Sequence, residues 1–178
     1  MAVNTIISTR VTETGTEPVS IEQAKIHAAI DYTDYDSILP IYLSAARQSI
    51  EKATSIALIS KKVNLTVSLV ANTLFRLPDS PVSQVNYIIS TLNNSTSSYY
   101  PQDQSNVGAA NDFVIVDMDG LYDIEYECSV SSVQADLKIA IMQMFTFIFN
   151  HRGEYSEGKL NYSVEAERIV GQNARFQI

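Results

Sequence analysis

The chain has 178 residues, and 12 Lys and Arg against 20 Asp and Glu give it a formal net charge of −8. Hydrophobic residues make up 46% of the sequence, which is typical of a globular domain and not of a disordered chain. The negative charge, with no cluster of Lys or Arg, argues against a nucleic-acid clamp or a basic membrane-surface helix. One cysteine and two histidines exclude a disulfide scaffold and a multi-cysteine zinc site.

The sequence offers neither a signal peptide nor a membrane span. The first ten residues lack a basic stretch followed by an apolar one. The longest uncharged run of the apolar C-terminal segment, Ile139 to Asn150, has 12 residues and is shorter than the ~20 needed to cross a bilayer. We therefore expect a soluble protein with no membrane partner, made in a reducing compartment.

Two helices are predicted in the first third of the chain. Residues 1–17 are polar and lack a clear period, which suits an arm or an early strand that needs a partner. Ser20 followed by Gln23 is a capping-box pattern and predicts a helix over about 21–30. An apolar stripe at three- and four-residue spacing predicts a second helix over about 37–55.

Between these helices and the apolar C-terminal segment, the apolar period changes to two, which is typical of strands. Strands are predicted over about 62–70, 74–77 and 82–91. The stretch 113–128 is predicted to be a hairpin, because Asp119-Gly120 is a signal for a two-residue turn. Its second strand alternates apolar with acidic residues, so one face is expected to be buried. The acidic members are Asp123, Glu125 and Glu127.

A third helix is predicted over about 132–151. Its residues are apolar nearly all round, so it must be covered on most sides. A chain of this length has limited material to cover it, and we expect part of its surface to meet another subunit. Residues 159–178 are predicted to form a separate tail that contains a short helix over 164–170.

These elements predict an α+β fold. Its helical core consists of two N-terminal helices and a long C-terminal helix, with antiparallel β-hairpins over about 62–128 inserted between the second and the third. We expect a single domain over 1–158, followed by an extended C-terminal tail over 159–178.

Two patterns in or after the predicted hairpin resemble a calcium site and a catalytic pair, but neither meets the requirements of its site. Asp117-Met118-Asp119-Gly120 is reminiscent of a calcium loop, but an EF-hand with this glycine at position six would lack its first oxygen ligand and its final Glu. Cys128 and His151 are conceivable as a nucleophile and its base. Cys128, however, ends an apolar strand face, and His151 ends a helix whose negative pole attracts basic residues.

The loop after the first helix offers the remaining candidates. His27 stands four residues before Asp31, a spacing that favours a surface hydrogen bond over a catalytic dyad. Asp31, Asp34 and Asp36 are a possible divalent-ion site, although loops before helices collect carboxylates in any case. No phosphate loop, nucleophile elbow or zinc motif is present in the sequence. We therefore expect no catalytic residue, no metal and no cofactor.

Five segments follow one another along the chain in an informative order. They are Glu17-Pro-Val-Ser-Ile-Glu-Gln-Ala-Lys25, Ile41–Glu51 with Ala45-Ala46-Arg47 at its centre, Ala57–Ser60, Leu77-Pro-Asp-Ser-Pro-Val-Ser-Gln-Val85, and Ala135–Phe145 with His151-Arg152. In this order the segments, which span about 17–152, resemble the head–tail connector, or neck adaptor, proteins of tailed bacteriophages and prophages.

The resemblance implies a structural protein. Such proteins form a ring, with about twelve subunits related by rotational symmetry, which joins the portal to the stopper or tail and lets DNA pass without specific binding. The chain would be made in the bacterial host cytoplasm and end in the virion at the head–tail interface. Another neck protein, such as a stopper or tail-completion protein, remains an alternative, and a small soluble metal-binding protein or enzyme is a more remote one.

Carried onto this sequence, the resemblance implies three groups of site residues. Subunit-interface candidates are Tyr42, Arg47, Met142, Phe145 and Phe149. Portal-docking candidates in the tail are Arg168, Ile169, Val170, Arg175, Phe176 and Ile178. Channel-facing acidic candidates are Asp123, Glu125 and Glu127. About twelve copies would carry about −96 in total, which would repel DNA phosphates; a plain solvated strand face explains these three residues equally well.

Overall fold

The computed structural model describes residues 4–91, 112–151 and 164–173, so the loop predicted within 93–111 lies outside it. The chain divides into two compact units. The sheet unit comprises residues 1–16 and 59–130, and the helical unit comprises residues 17–58 and 131–178. Helices and antiparallel sheets are both present, which confirms the mixed α+β class.

A four-stranded antiparallel sheet dominates the sheet unit. Its strands, in spatial order, are β1 (Thr5–Glu13), β2 (Lys61–Leu69), β6 (Gly120–Cys128) and β4 (Val82–Ser90). Two short strands, β3 (Phe75–Arg76) and β5 (Phe113–Val114), form a second antiparallel sheet. The segment predicted as an arm or early strand is therefore a strand, β1, which takes β2 as its partner.

The hairpins predicted between residues 62 and 128 are wrong. β5 pairs with β3, and β6 lies between β2 and β4, so the predicted partner of 62–70 at 74–77 and the predicted hairpin within 113–128 are both replaced by other pairings. The Asp119-Gly120 turn signal is local and does not decide which strands meet. At this corner Asp119 instead accepts a hydrogen bond from the Ala71 amide at 2.7 Å.

The alternation predicted for β6 is present. Its apolar residues Tyr122, Ile124, Tyr126 and Cys128 are buried. They lie beside an equally buried row on β2, with Ile124 opposite Leu65 and Tyr126 opposite Val63. The three acidic residues of β6 lie on the opposite face of the sheet and are partly exposed.

Four helices make up the described part of the helical unit: α1 (Ile21–His27), α2 (Leu39–Thr54), α3 (Ala135–Asn150) and α4 (Val164–Asn173). The predicted capping box at the start of α1 is confirmed. The Gln23 amide donates to Ser20 Oγ at 3.2 Å, and the Ser20 amide donates to Gln23 Oε1 at 3.0 Å. Across the described ranges, no helix is long and apolar enough to cross a membrane.

Helix α3 lies at the centre of the helical unit and packs against α1, α2 and α4. The core that they share includes Leu43, Ile50, Ile141, Phe145 and Ile169. This arrangement covers most of the apolar surface that made α3 exceptional in the sequence. Ile139 remains exposed, and Met142 and Phe147 are only partly buried.

Candidate assembly surfaces

A buried ion network holds the helical unit together at α2. The Arg47 side chain is fully buried, and its Nε donates to both Glu17 carboxylate oxygens at 3.1 and 3.0 Å. Its Nη1 donates to Glu51 Oε2 at 2.8 Å, and Glu51 Oε1 accepts the Leu58 amide at 2.6 Å. Glu17 and Leu58 are the first and last residues of the stretch 17–58. The network therefore ties both ends of that stretch to the middle of α2.

The subunit-interface candidates fall into two groups. Arg47, Phe145 and Phe149 are buried inside the helical unit itself, where their side chains already have partners within the chain. Tyr42 and Met142 are partly buried and retain exposed surface. The sequence did not separate the groups, because an arginine in a helix is usually a surface residue and burial depends on its ion partners.

Aromatic rings line the edge of the core beside the loop between α1 and α2. Phe149 meets Tyr42 and Tyr35 edge to face, with ring centroids 6.4 and 5.7 Å apart. Tyr35 in turn meets Tyr32 at 5.7 Å. Tyr32 and Tyr35 are exposed at their outer sides. Sequence reasoning missed this cluster, since it treated the segment only as a carboxylate-bearing loop.

The described part of the predicted tail is not extended. Residues 164–173 form α4, in which Ala166 and Ile169 are buried, and Asn173 Nδ2 donates to Asp136 Oδ2 at 2.9 Å. Ile169 is therefore a core residue of the helical unit. Arg168 is exposed and donates to Gln172 Oε1 at 3.1 Å, and Val170 is partly buried. Arg175, Phe176 and Ile178 lie outside the described residues.

The acidic face of β6 is a hydrogen-bonded network and not a row of bare carboxylates. Lys62 Nζ lies 3.2 Å from an oxygen of both Glu125 and Glu127. Asn86 Nδ2 donates to the same two carboxylates at 2.8 and 3.0 Å. Asp123 accepts a hydrogen bond from Thr66 Oγ1 at 2.7 Å. The partners come from β2 and β4, which flank β6, so only the strand register brings them together.

This network changes the acidity of its members. Hydrogen bonds from Asn86 first, and from Lys62 next, lower the pKa of the Glu127 carboxyl below its usual value. The pKa of the Glu125 carboxyl is lowered chiefly by the Asn86 hydrogen bond, with Lys62 adding to it against partial desolvation. Hydrogen bonds to the two carboxylates raise the pKa of Lys62. All three groups therefore stay charged over a wide pH range.

Of the residues considered for chemistry, Cys128, His151 and Asp36 have structural partners. Cys128 is buried, with its sulfur 3.7 Å from the Asp79 carbonyl oxygen. His151 Nδ1 lies 2.9 Å from the Phe147 carbonyl oxygen, so this nitrogen must carry the proton that it donates to the helix end. Asp36 pairs with Lys25 at 2.6 Å. Among the residues that the structure describes, no group of three His, Cys, Asp or Glu is placed to hold a metal ion.

Strand β1 lies at one end of the sheet and is held there over its whole length. Its register with β2 runs from Thr5 opposite Ser68 to Glu13 opposite Lys61. Just beyond β1, the amides of Thr14 and Gly15 both donate to the Ser60 carbonyl at 2.9 Å. A Cβ on Gly15 would lie 2.7 Å from the Ser60 amide nitrogen, so this approach requires glycine.

Comparison with known proteins relates this chain to a family and to solved structures. A family model described as head completion protein matches residues 17–165. A chain from the neck of an empty gene transfer agent particle, computed with C6 symmetry, superposes with a TM-score of 0.63 at 19% identity, covering 95% of this chain and 97% of that one. A chain from the virion of the native particle gives 0.63 at 18% identity, covering 94% and 96%.

A chain from the neck of the native particle, computed with C12 symmetry, gives a TM-score of 0.59 at 18% identity, covering 95% of this chain and 97% of that one. At these identities the likeness establishes the fold. A comparison with curated protein sequences found no match.

Proposed function

Because this chain belongs to the head completion protein family and is therefore a structural protein of the head–tail neck and not an enzyme, we propose that it forms a closed ring in the neck of a tailed particle. The family match confirms the resemblance to head–tail connector proteins that the order of the sequence segments indicated. The ring would contain about twelve copies related by rotational symmetry, and it would join the portal on the head side to a stopper or tail protein.

The observation that carries the ring is the nearly full-length likeness to chains from particle necks. The structure aligns with 97% of a chain from a neck that was computed with C12 symmetry. A fold shared over nearly the full length of both chains supports a shared mode of assembly. The helical unit supports an adaptor over a stopper, since stoppers are mostly β.

Exposed apolar residues of the helical unit support a role in protein contacts. On α2, Ile41 is exposed and its neighbour Tyr42 is partly exposed; on α3, Ile139 is exposed and Met142, three residues further on, is partly exposed. Such residues on two core helices suit contacts with other neck subunits. Of the tail candidates, Arg168 on α4 remains accessible, and the segment 174–178 contains Arg175, Phe176 and Ile178. We propose that this end of the chain docks on the portal.

The charge of the chain supports passage of DNA without binding. Each copy carries −8, so a ring would repel phosphates from its inner wall. We propose that the acidic face of β6 contributes to this wall. Lys62 partly neutralises Glu125 and Glu127, but three carboxylates still outnumber it on that face.

Deleting the gene in the source phage or prophage tests this function. The proposal predicts heads that have packaged DNA, lack tails and accumulate beside free tails, with normal particles restored by the wild-type gene in trans. Tailed particles forming at the usual yield without this chain would contradict it. An enzyme or metal-binding protein would instead leave particle morphology unchanged.

A further inference from the structure

Strand β1 differs from its neighbours because every one of its nine residues is exposed. In an antiparallel sheet with one buried face, alternate residues of a strand are normally covered. Ile6 and Val11 lie opposite Val67 and Val63, which are fully buried, yet they are 45% and 44% exposed. Ile7, at an irregularity between Ile6 and Ser8, is 60% exposed. The buried face of the sheet therefore stops at β2 and leaves β1 uncovered.

The edge of β1 is also open. β1 is the end strand in the order β1-β2-β6-β4, and in the described ranges no strand pairs with its outer side. Proteins usually protect such edges with lysines, prolines or very short strands. β1 is nine residues long, has neither Lys nor Pro, and carries only Arg10 as an internal charge. A nine-residue edge strand that exposes Ile6, Ile7 and Val11 is the kind of surface to which another chain adds a strand.

We propose that a second copy of this chain binds along β1, with the β4 edge of that copy pairing to it. This inference rests on the proposed ring. A ring with rotational symmetry needs two different surfaces on each subunit, because a surface that pairs with itself gives a closed dimer. β4 is the opposite end of the same sheet and is also nine residues long.

Strand direction and side-chain chemistry both favour this pairing. All neighbours in the sheet are antiparallel, so β4 of one copy beside β1 of the next continues the alternation. Ile6 and Val11 would then extend the buried apolar face, to which Val82 and Ile88 belong. Arg10, opposite Asn64 on the other face, would lie two strand spacings, about 10 Å, from the acidic row of the adjacent copy.

The first test removes the apolar character of β1 in assembled particles. We expect Ile7→Lys combined with Val11→Lys to fold, because both side chains are already exposed, and to reduce incorporation into particles at least tenfold. The matched control is Leu74→Lys, which changes a side chain that is 59% exposed in the same unit and lies on neither edge. Wild-type incorporation of the double variant would overturn the inference.

The second test does not depend on that variant folding. Ser8→Cys and Ile89→Cys place thiols on the same face of β1 and β4, while native Cys128 is buried. Particles that carry both substitutions, treated with a bismaleimide that spans about 10 Å, should give a ladder of covalent oligomers beyond the dimer. Particles with either substitution alone should give no ladder. A ring seen by electron microscopy with no ladder, or dimers from Ser8→Cys alone, would overturn the β1–β4 contact. Wild-type particles without a ring would refute the proposed function and this inference together.

Discussion

Arg47 and Glu17 form an ion pair across 30 residues of chain, and the arginine is completely buried. Both Glu17 oxygens accept from the same Nε, while Nη1 is occupied by Glu51. The pair links two of the segments that carry the resemblance to neck adaptors. One begins with Glu17-Pro18, and the other is centred on Ala45-Ala46-Arg47. The small alanines allow close helix packing, and the arginine joins Glu17 to Glu51 within the helical unit.

Replacing Arg47 with Met should destabilise the helical unit strongly. The change leaves the Glu51 carboxylate buried without its cation, which costs about 3 kcal/mol in the free energy of unfolding. Urea unfolding followed by circular dichroism at 222 nm measures this loss in the free energy of unfolding.

The matched control is Lys52→Met, which removes the same charge from an exposed position on the same helix. It should change the free energy of unfolding by no more than about 0.5 kcal/mol. Equal effects of the two substitutions would show that the buried network does not stabilise the unit.

Truncation separates the structural and the docking parts of the C-terminus. Removing 174–178 deletes Arg175, Phe176 and Ile178 and leaves α4 whole, so the helical unit should still fold while attachment to the portal is lost. Removing 160–178 also deletes α4, whose Ile169 is 3% exposed. That deletion should lower stability, and Ile169→Ala alone should cost about 2–4 kcal/mol. A shortened chain lacking 174–178 that still attaches to portals at wild-type level would refute the docking assignment.

The carboxylates on β6 should respond to Asn86. Asn86→Ala removes the hydrogen bond that lowers the pKa of Glu125 and Glu127 most, so both pKa values should rise toward 4.5. Carboxyl carbon chemical shifts followed through a pH titration measure this directly. Ser68→Ala, on β2, is the control and should leave both values in place. Unchanged values in Asn86→Ala would mean that Lys62 alone sets them.

The same groups predict how stability depends on pH. A carboxyl whose pKa is lowered by folding stabilises the protein above pH 4.5, and this stability is lost as the pH falls through the folded-state value. Lys62, with a raised pKa, contributes below pH 10.5 and loses its contribution as the pH rises through its folded-state value. Melting temperatures should therefore fall at both extremes, and less so for Asn86→Ala at the acid end. High salt should weaken the effect, since these groups are near solvent.

Two glycines should respond to alanine in opposite directions. At Gly15 the added Cβ would lie 2.7 Å from backbone, so Gly15→Ala should cost about 1–3 kcal/mol and loosen β1 from β2. At Gly171, within α4, an added Cβ would meet no described atom within 4 Å beyond the adjacent residues and the helix's own backbone. Gly171→Ala should instead stabilise the helix by up to about 1 kcal/mol. Hydrogen exchange of the β1 amides distinguishes loosening of the strand from general unfolding.

The features that sequence reasoning predicted correctly depend on residues that are close together in the chain. Ser20 and Gln23 lie three residues apart, and the capping box that they form is present. The alternation of Tyr122, Asp123 and Ile124 repeats every two residues and correctly separates the buried face of β6 from the polar one. Both signals need no knowledge of distant segments.

The features that sequence reasoning missed depend on distant segments. Strand pairing joins β6 to β2 across more than fifty residues, as the Thr66–Asp123 hydrogen bond shows, and a local turn signal cannot report it. Lys62 and Asn86 became partners of Glu125 only through that register. Burial of Arg47 likewise depends on Glu17, so a residue typical of a surface became part of the core.

Electron microscopy of particles purified from the source tests the central claim most directly. The reconstruction of the neck, with mass spectrometry to identify this chain, should show a ring of about twelve copies next to the portal. Absence of the chain from the neck of intact tailed particles, with the protein recovered only in the soluble fraction, would contradict the proposed function.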